Sequence, residues 1–317
     1  MHFQKVLALL MALCLLAVLL PGCEQPAKET TPSTTEDVYM NALHKTDPTA
    51  DDTIYIMMTA ASFSHYYLDE LSGMLQAAGI KAKVCNLMKS STGIQLFYDH
   101  WKKDEKVFQL IIHDENGKTV LEGMSLDLAM EYYNWDVVSL QDGSSRFRKS
   151  NPMDVLEANR QAHTELIGHF REKLPGAEVY TQQIWAYDVG FNRDGYQVDT
   201  KEEQTAFFER VRTYTKAFCE EFQLKCVYSG EAWALARQNP IVGNLCARMS
   251  INNGEGDYYH DGDIGGGQYL NACVWFETLT GQSCIGNTFR PDYELREELI
   301  AVLQQAAHEA VENAKAQ

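Results

Sequence analysis

The chain has 317 residues, is 45% hydrophobic and 22% charged, and carries a formal net charge of -17. That composition describes a globular protein with room for one large α/β domain, and it excludes a disordered chain. The acidic balance argues against a nucleic-acid partner, because phosphate contacts need basic patches, and against charge-driven docking on anionic lipid; a neutral or cationic substrate suits it better.

His2 to Lys5 is a short polar start with one Lys, and Val6 to Leu20 is an apolar run of the length of a signal-peptide core. The run ends Leu20-Pro21-Gly22-Cys23, which resembles a bacterial lipobox. Residues 1–22 are therefore expected to be a lipoprotein signal peptide and Cys23 the lipidated residue, giving a membrane-anchored, extracytoplasmic protein. The alternative is a plain secretory signal followed by a chance Cys. Residues 23–51 are rich in Thr, Pro, Glu, Ser and Lys without apolar periodicity, and read as a flexible tether. Residues 52–317 form the globular domain. Its cysteines (Cys85, Cys219, Cys226, Cys246, Cys273 and Cys284) have no zinc-site spacing, and the sequence does not select their pairing.

The domain opens on an apolar, β-branched run from Thr53, which predicts a buried parallel strand. Small residues Ala60 to Ser64 turn the chain into a helix whose apolar face includes Tyr67, Leu68 and Leu71. A second strand is expected at Ile80 to Leu87, then a loop through Gly93 into a helix from Ile94 to Trp101. Val107–Ile112 and Thr119–Leu121 flank Asn116-Gly117 and predict a β-hairpin on the sheet edge. Ser125 to Tyr133 reads as a helix, Trp135 to Gln141 as a third core strand, and Asp142 to Ser145 as a polar loop. Pro152 to Leu174 is a long amphipathic helix with Pro in its first turn. A fourth strand runs from Ala177 to Trp185, followed by an aromatic loop, Ala186 to Tyr196. Further helices are expected over Lys201–Phe222, Glu231–Arg237, Gly265–Leu279 and Tyr293–Lys315, with a fifth short strand at Lys225–Ser229. This alternation predicts an α/β fold with a parallel sheet covered by helices on both faces.

Two stretches carry chemistry. Ser62 lies past the carboxyl end of the first strand, where open α/β sheets place ligands, and near an expected helix N-terminus suited to an oxyanion. The alternative is an ordinary helix N-cap. The second stretch is Asp257-Tyr258-Tyr259-His260 followed by Asp261-Gly262-Asp263. An acid three residues before a His can hold one imidazole nitrogen and leave the other to take a proton from a serine. The alternatives are a solvated loop or a calcium-type loop. Trp185, Tyr187 and Phe191 follow the fourth strand on the ligand side, and either stack on a sugar ring or pack into the core. Glu231 follows the fifth strand near the expected cleft, as a substrate contact or a helix-start acid, with Arg237 a possible ion-pair partner.

Ser62-Phe63-Ser64, the Trp135–Gln141 strand with Ser144, Gln183 to Tyr187, the Asp257-x-x-His260 pair and the run Gly267–Gly281 together resemble the SGNH (GDSL-like) hydrolase superfamily, in a bacterial branch filed as a domain of unknown function. The resemblance spans roughly Thr53 to Gly281, nearly the whole domain. It implies a flavodoxin-like three-layer sandwich with about five parallel strands, and ester hydrolysis, often of acylated carbohydrates. Ser62 matches the family's nucleophile, His260 its general base and Asp257 the orienting acid. The family's oxyanion hole uses the N–H of the nucleophile, a Gly after the second strand and an Asn after the third. Gly93 matches the Gly; Gln141 stands where the Asn is expected. Ala60-Ala61 replaces the usual Gly-Asn or Gly-Asp before the Ser, and the loop after His260 is longer than the pattern, so that Asp261 and Asp263 are alternative aligned positions. His65 is a reserve base, and Ser64 a second polar group at the turn.

The expected protein is thus a cell-surface serine esterase that needs no metal or organic cofactor, acts on a small-molecule or glycan ester, and is held to the membrane by its lipid. The competing expectation is a non-catalytic glycan-binding lipoprotein with a degraded site.

Overall fold

The computed structural model describes residues 52–60, 62–193, 196–243 and 266–316. In chain order the elements are β1 (Ile54–Ala60), α1 (Leu68–Ala77), β2 (Ala82–Met88), α2 (Ile94–Lys102), β3 (Phe108–Asp114), β4 (Gly117–Met124), α3 (Leu126–Tyr132), β5 (Val137–Gln141), α4 (Pro152–Lys173), β6 (Glu178–Gln182), the short pair β7 (Asn192–Arg193) and β8 (Tyr196–Gln197), α5 (Lys201–Phe222), β9 (Lys225–Val227), α6 (Ser229–Ala236), α7 (Gly267–Thr280) and α8 (Glu297–Lys315). Two 3-10 turns, Ser62–Ser64 and Ser144–Phe147, follow β1 and β5.

The main sheet has seven strands in the order β4-β3-β2-β1-β5-β6-β9. β2, β1, β5, β6 and β9 are parallel, as the β–α alternation predicts, while the β3–β4 hairpin runs antiparallel and extends the edge beyond β2. The sheet is therefore mixed rather than purely parallel. Taken alone, the parallel strands follow the flavodoxin order 2-1-3-4-5, whose direction of progression reverses between β1 and β5. A ligand in such a sheet lies over the carboxyl ends of the strands at that reversal.

Local sequence explains the frame. Asn151 caps α4 by accepting from Met153 N, and Pro152 occupies the first turn. Thr200 and Glu203 form a capping box at α5. Gly117 opens β4 at φ +96°, where a side chain would be strained. The centre of β1 (Ile56, Met57, Met58) is fully buried, because helices cover both faces of the sheet. α7 is buried almost all round, from Tyr269 to Phe276, because α1, α6 and α8 pack on it in addition to the sheet. Tyr67 donates to Gln182 Oε1 at 2.7 Å, and Gln182 Nε2 donates to Ser229 Oγ at 2.7 Å, tying α1, β6 and α6 together through the core. Cys219 adjoins Cys226 and Cys273 adjoins Cys284, all as free thiols; burial and then the neighbouring sulfur push the Cys226 and Cys273 thiols well up.

One glycine is required by close approach. Gly230 donates its N–H to Gln183 O at 3.1 Å, and a Cβ there would overlap the Ile184 carbonyl oxygen and lie 2.5 Å from Cε2 of Phe208. Gly230→Ala should therefore cost roughly 1–3 kcal/mol through overpacking, seen as a lower midpoint in thermal unfolding. An unchanged midpoint would mean that α6 shifts without cost.

Candidate active site

Three elements end together at the reversal point. Ala60, the last residue of β1, pairs with Met88 of β2 and with Gln141 of β5. The Ser62 turn, the Gly93 cap of α2 and the Gln141 end of β5 therefore share one rim.

The helix after Ser62 starts later than the small-residue turn suggests. Ser62 opens a separate 3-10 turn, and α1 begins only at Leu68, with Tyr67 as its N-cap. Ser62 is thus not the N-cap of α1, which corrects that reading of its position. The turn is held from β2: Asn86 Nδ2 donates to Ser64 Oγ at 2.7 Å, and both residues are fully buried. Ser64 therefore has a structural task.

Gly93 caps α2 at φ -85° and ψ 174°, with no side chain to cover its backbone. Gln141 is 1% exposed, and neither its amide nitrogen nor its carbonyl oxygen has a hydrogen-bond partner. Such an amide is uncommon in a protein interior, where buried polar groups are nearly always paired. Thr92 Oγ1, beside Gly93, is also buried without a partner.

The loop behind Gln141 is anchored by a cluster that sequence reading missed. His163 Nε2 donates to Asp142 Oδ2 at 3.2 Å, and the Tyr214 hydroxyl donates to the same oxygen. Burial raises the Asp142 pKa, but the His163 bond and charge, the Tyr214 bond and the Arg146 charge outweigh it and hold the carboxyl below its usual range. These three residues come from the β5 loop, α4 and α5, so no local motif announces them. Because the folded pKa is lowered, the associated stability is complete above the ordinary carboxylate pKa and is lost as pH falls through the lowered value. Tyr214→Phe should cost about 1.5–3 kcal/mol in urea unfolding at neutral pH, with the deficit shrinking as the buffer is acidified. A deficit constant with pH would remove Asp142 from this role.

The other expected contacts lie elsewhere. Trp185 is 2% exposed, stacked on Trp233 at 4.5 Å and edge-on to Phe63 at 5.2 Å. Tyr187 is 4% exposed and stacked on Phe191 at 3.8 Å. Their ring faces are taken by protein, so they pack in the core and brace the rim. Glu231 is held by Arg212, whose Nε and Nη2 donate to its two oxygens at 2.8 and 2.7 Å, and its N–H donates to Gln183 Oε1 at 3.0 Å. Arg237 pairs instead with Asp188, at 2.7 Å. His65 is half-buried beside Tyr66, at 4.9 Å between rings. Asp257, His260, Asp261 and Asp263, together with Cys23 and Cys246, lie outside the described residues. Among the described residues, no group of three or more His, Cys, Asp or Glu is placed to hold a metal ion, and no helix is long and apolar enough to cross a membrane.

A family model for the domain of unknown function DUF4886 matches residues 55–310. The chain belongs to that family. No curated protein matches it. Among solved structures, a DUF4886 family protein from Bacteroides uniformis is similar with a TM-score of 0.72 at 23% identity, over 83% of this chain and 96% of that one. The shared DUF4886 fold thus extends over nearly the whole domain. Weaker similarity is found to a protein from Parabacteroides merdae described as a GDSL-like lipase (TM-score 0.44, 16% identity, 71% of this chain and 94% of that one). A catalytic mutant of an acetylxylan esterase from Geobacillus stearothermophilus gives a TM-score of 0.42 at 10% identity, over 77% and 97% of the two chains.

Proposed function

We propose that this DUF4886 domain is a serine ester hydrolase, with Ser62 as nucleophile, His260 as general base and Asp257 orienting the imidazole. Ser62 Oγ attacks the ester carbonyl while His260 takes its proton. The tetrahedral intermediate expels the alcohol, which receives that proton from His260, and acyl-Ser62 remains. Water then attacks the acyl group with His260 again as base, releasing the acid and restoring Ser62. The N–H groups of Ser62 and Gly93 and the side-chain amide of Gln141 donate to the developing oxyanion.

Gln141 carries this reading. Its amide is buried, lacks a partner, and stands at the strand end in register with Ala60, just before the Ser62 turn. Leaving such a group unpaired costs roughly 1–3 kcal/mol, a cost that a substrate oxygen in the cleft would remove. The parallel strand order supports the same location, since it sets the ligand crevice between β1 and β5. A glycan-binding role without catalysis has less support, because the faces of Trp185 and Tyr187 are covered. An acylated carbohydrate is the substrate class to which the SGNH resemblance points. Turnover of a short-chain aryl ester by the full chain, compared with Ser62→Ala, tests the reaction class; equal rates would contradict it.

Residues 1–22 act as a lipoprotein signal, and a lipid on Cys23 holds the domain at the membrane outside the cytoplasm. Cys23→Ala should leave the membrane fraction or accumulate as an unprocessed precursor. Fractionation and gel migration identical to the wild type would overturn the anchor.

A further inference from the structure

The turn after β5 carries two arginines with opposite surroundings. Arg148 lays its guanidinium against Tyr187, Phe191 and Tyr196, at 5.5, 5.5 and 5.8 Å from the ring centroids. Arg146 is exposed, and among the described arginine side chains it alone has neither a hydrogen bond nor an ion pair. Its guanidinium lies against Gly93: a Cβ built on that glycine would sit 3.5 Å from Nη2 and 3.8 Å from Nε of Arg146. The backbone beneath is clamped. Arg210 donates to the Phe147 and Arg148 carbonyls, each at 2.8 Å, and Phe147 is buried at 1% exposure.

In a chain with 44 acidic and 27 basic side chains, Arg146 has no carboxylate within ion-pair distance among the described residues. Asp142, whose charge Arg146 does feel, is already engaged by His163 and Tyr214. A guanidinium carried on a turn with a clamped backbone, without an ion-pair partner and beside the expected oxyanion donor Gly93, can take a planar anion supplied from outside.

We infer that Arg146 is a specificity residue that pairs with a carboxylate of the ester substrate, so that esters bearing an anionic group near the scissile bond are preferred over neutral ones. This rests on the esterase reading above. It also revises the expectation of a neutral or cationic substrate, because a local pair at close range outweighs the screened charge of the whole chain. The carboxylate belongs either to the acyl half, as in a dicarboxylic half-ester, or to the alcohol half, as in a uronic acid; its chemistry at Arg146 is the same.

The test uses the full chain and two pairs of esters. One pair compares a 4-nitrophenyl hemisuccinate with 4-nitrophenyl butyrate, which places the charge on the acyl side. The other compares 4-acetoxybenzoate with its methyl ester, which places the charge on the alcohol side. The expected result is a ratio of kcat/KM, anionic over neutral, that falls roughly ten- to a hundredfold in Arg146→Gln for one pair and is partly restored in Arg146→Lys. The pair that responds identifies the half carrying the charge. If Arg146→Gln slows both members of each pair equally, or neither, the specificity role is overturned while ester hydrolysis stands. If the wild type hydrolyses none of the four esters, the esterase reading fails and this inference fails with it.

Discussion

Ser62→Ala and His260→Ala are each expected to lower kcat for a short-chain aryl ester by about 10,000-fold or more, and the double variant should be little worse than either single one. The nucleophile and its base act as a unit, so removing one leaves the other with nothing to do. Asp257→Asn should also lower kcat strongly, through loss of the tautomer that exposes the free imidazole nitrogen. Stopped assays at saturating ester, with unfolding midpoints measured in parallel, check this. Additive losses, or a His260→Ala variant as active as the wild type, would assign the base to another residue, with His65 next in line.

Gln141→Met should move activity and stability in opposite directions. The substitution nearly conserves volume, so the interior at the end of β5 stays filled. It removes a buried amide that has no partner in the free protein, which should raise the unfolding free energy by about 1 kcal/mol or more. It also removes an oxyanion donor, which should lower kcat by about 100- to 1,000-fold. A variant that is less stable and fully active would make Gln141 an ordinary strand-end residue. The gain in stability separates a functional amide from a merely structural one, because a structural amide would be expected to have partners.

Most of the frame is legible in the chain. The apolar run of β1, the Asn116-Gly117 hairpin and Pro152 at the start of α4 are local signals, and each forms the element it predicts. The placement of Gln141 at the end of β5 and of Gly93 between β2 and α2 follows from the same reading of strands and helices in order. What is not legible depends on residues far apart in sequence. Nothing near Ser62 shows that α1 starts only at Leu68, because the turn is held by Asn86 from the neighbouring strand. Glu231 finds Arg212 on α5 rather than the closer Arg237, since the pairing is set by how α6 packs against α5. Trp185 and Tyr187, where the fourth strand runs into its aromatic loop, look like stacking platforms, but the rings that cover them, Trp233 and Phe191, are brought there by the fold. The Asp142–His163–Tyr214 cluster joins three elements and has no linear signature.

The central claim is that Ser62 is an activated nucleophile, and covalent labelling tests it most directly. The full chain is treated with a fluorophosphonate probe, digested, and the modified peptide sequenced by mass spectrometry. The expected result is one adduct on Ser62, absent in Ser62→Ala and strongly slowed in His260→Ala. No adduct, or an adduct on Ser64, Ser144 or Ser145 with Ser62 untouched, would contradict it.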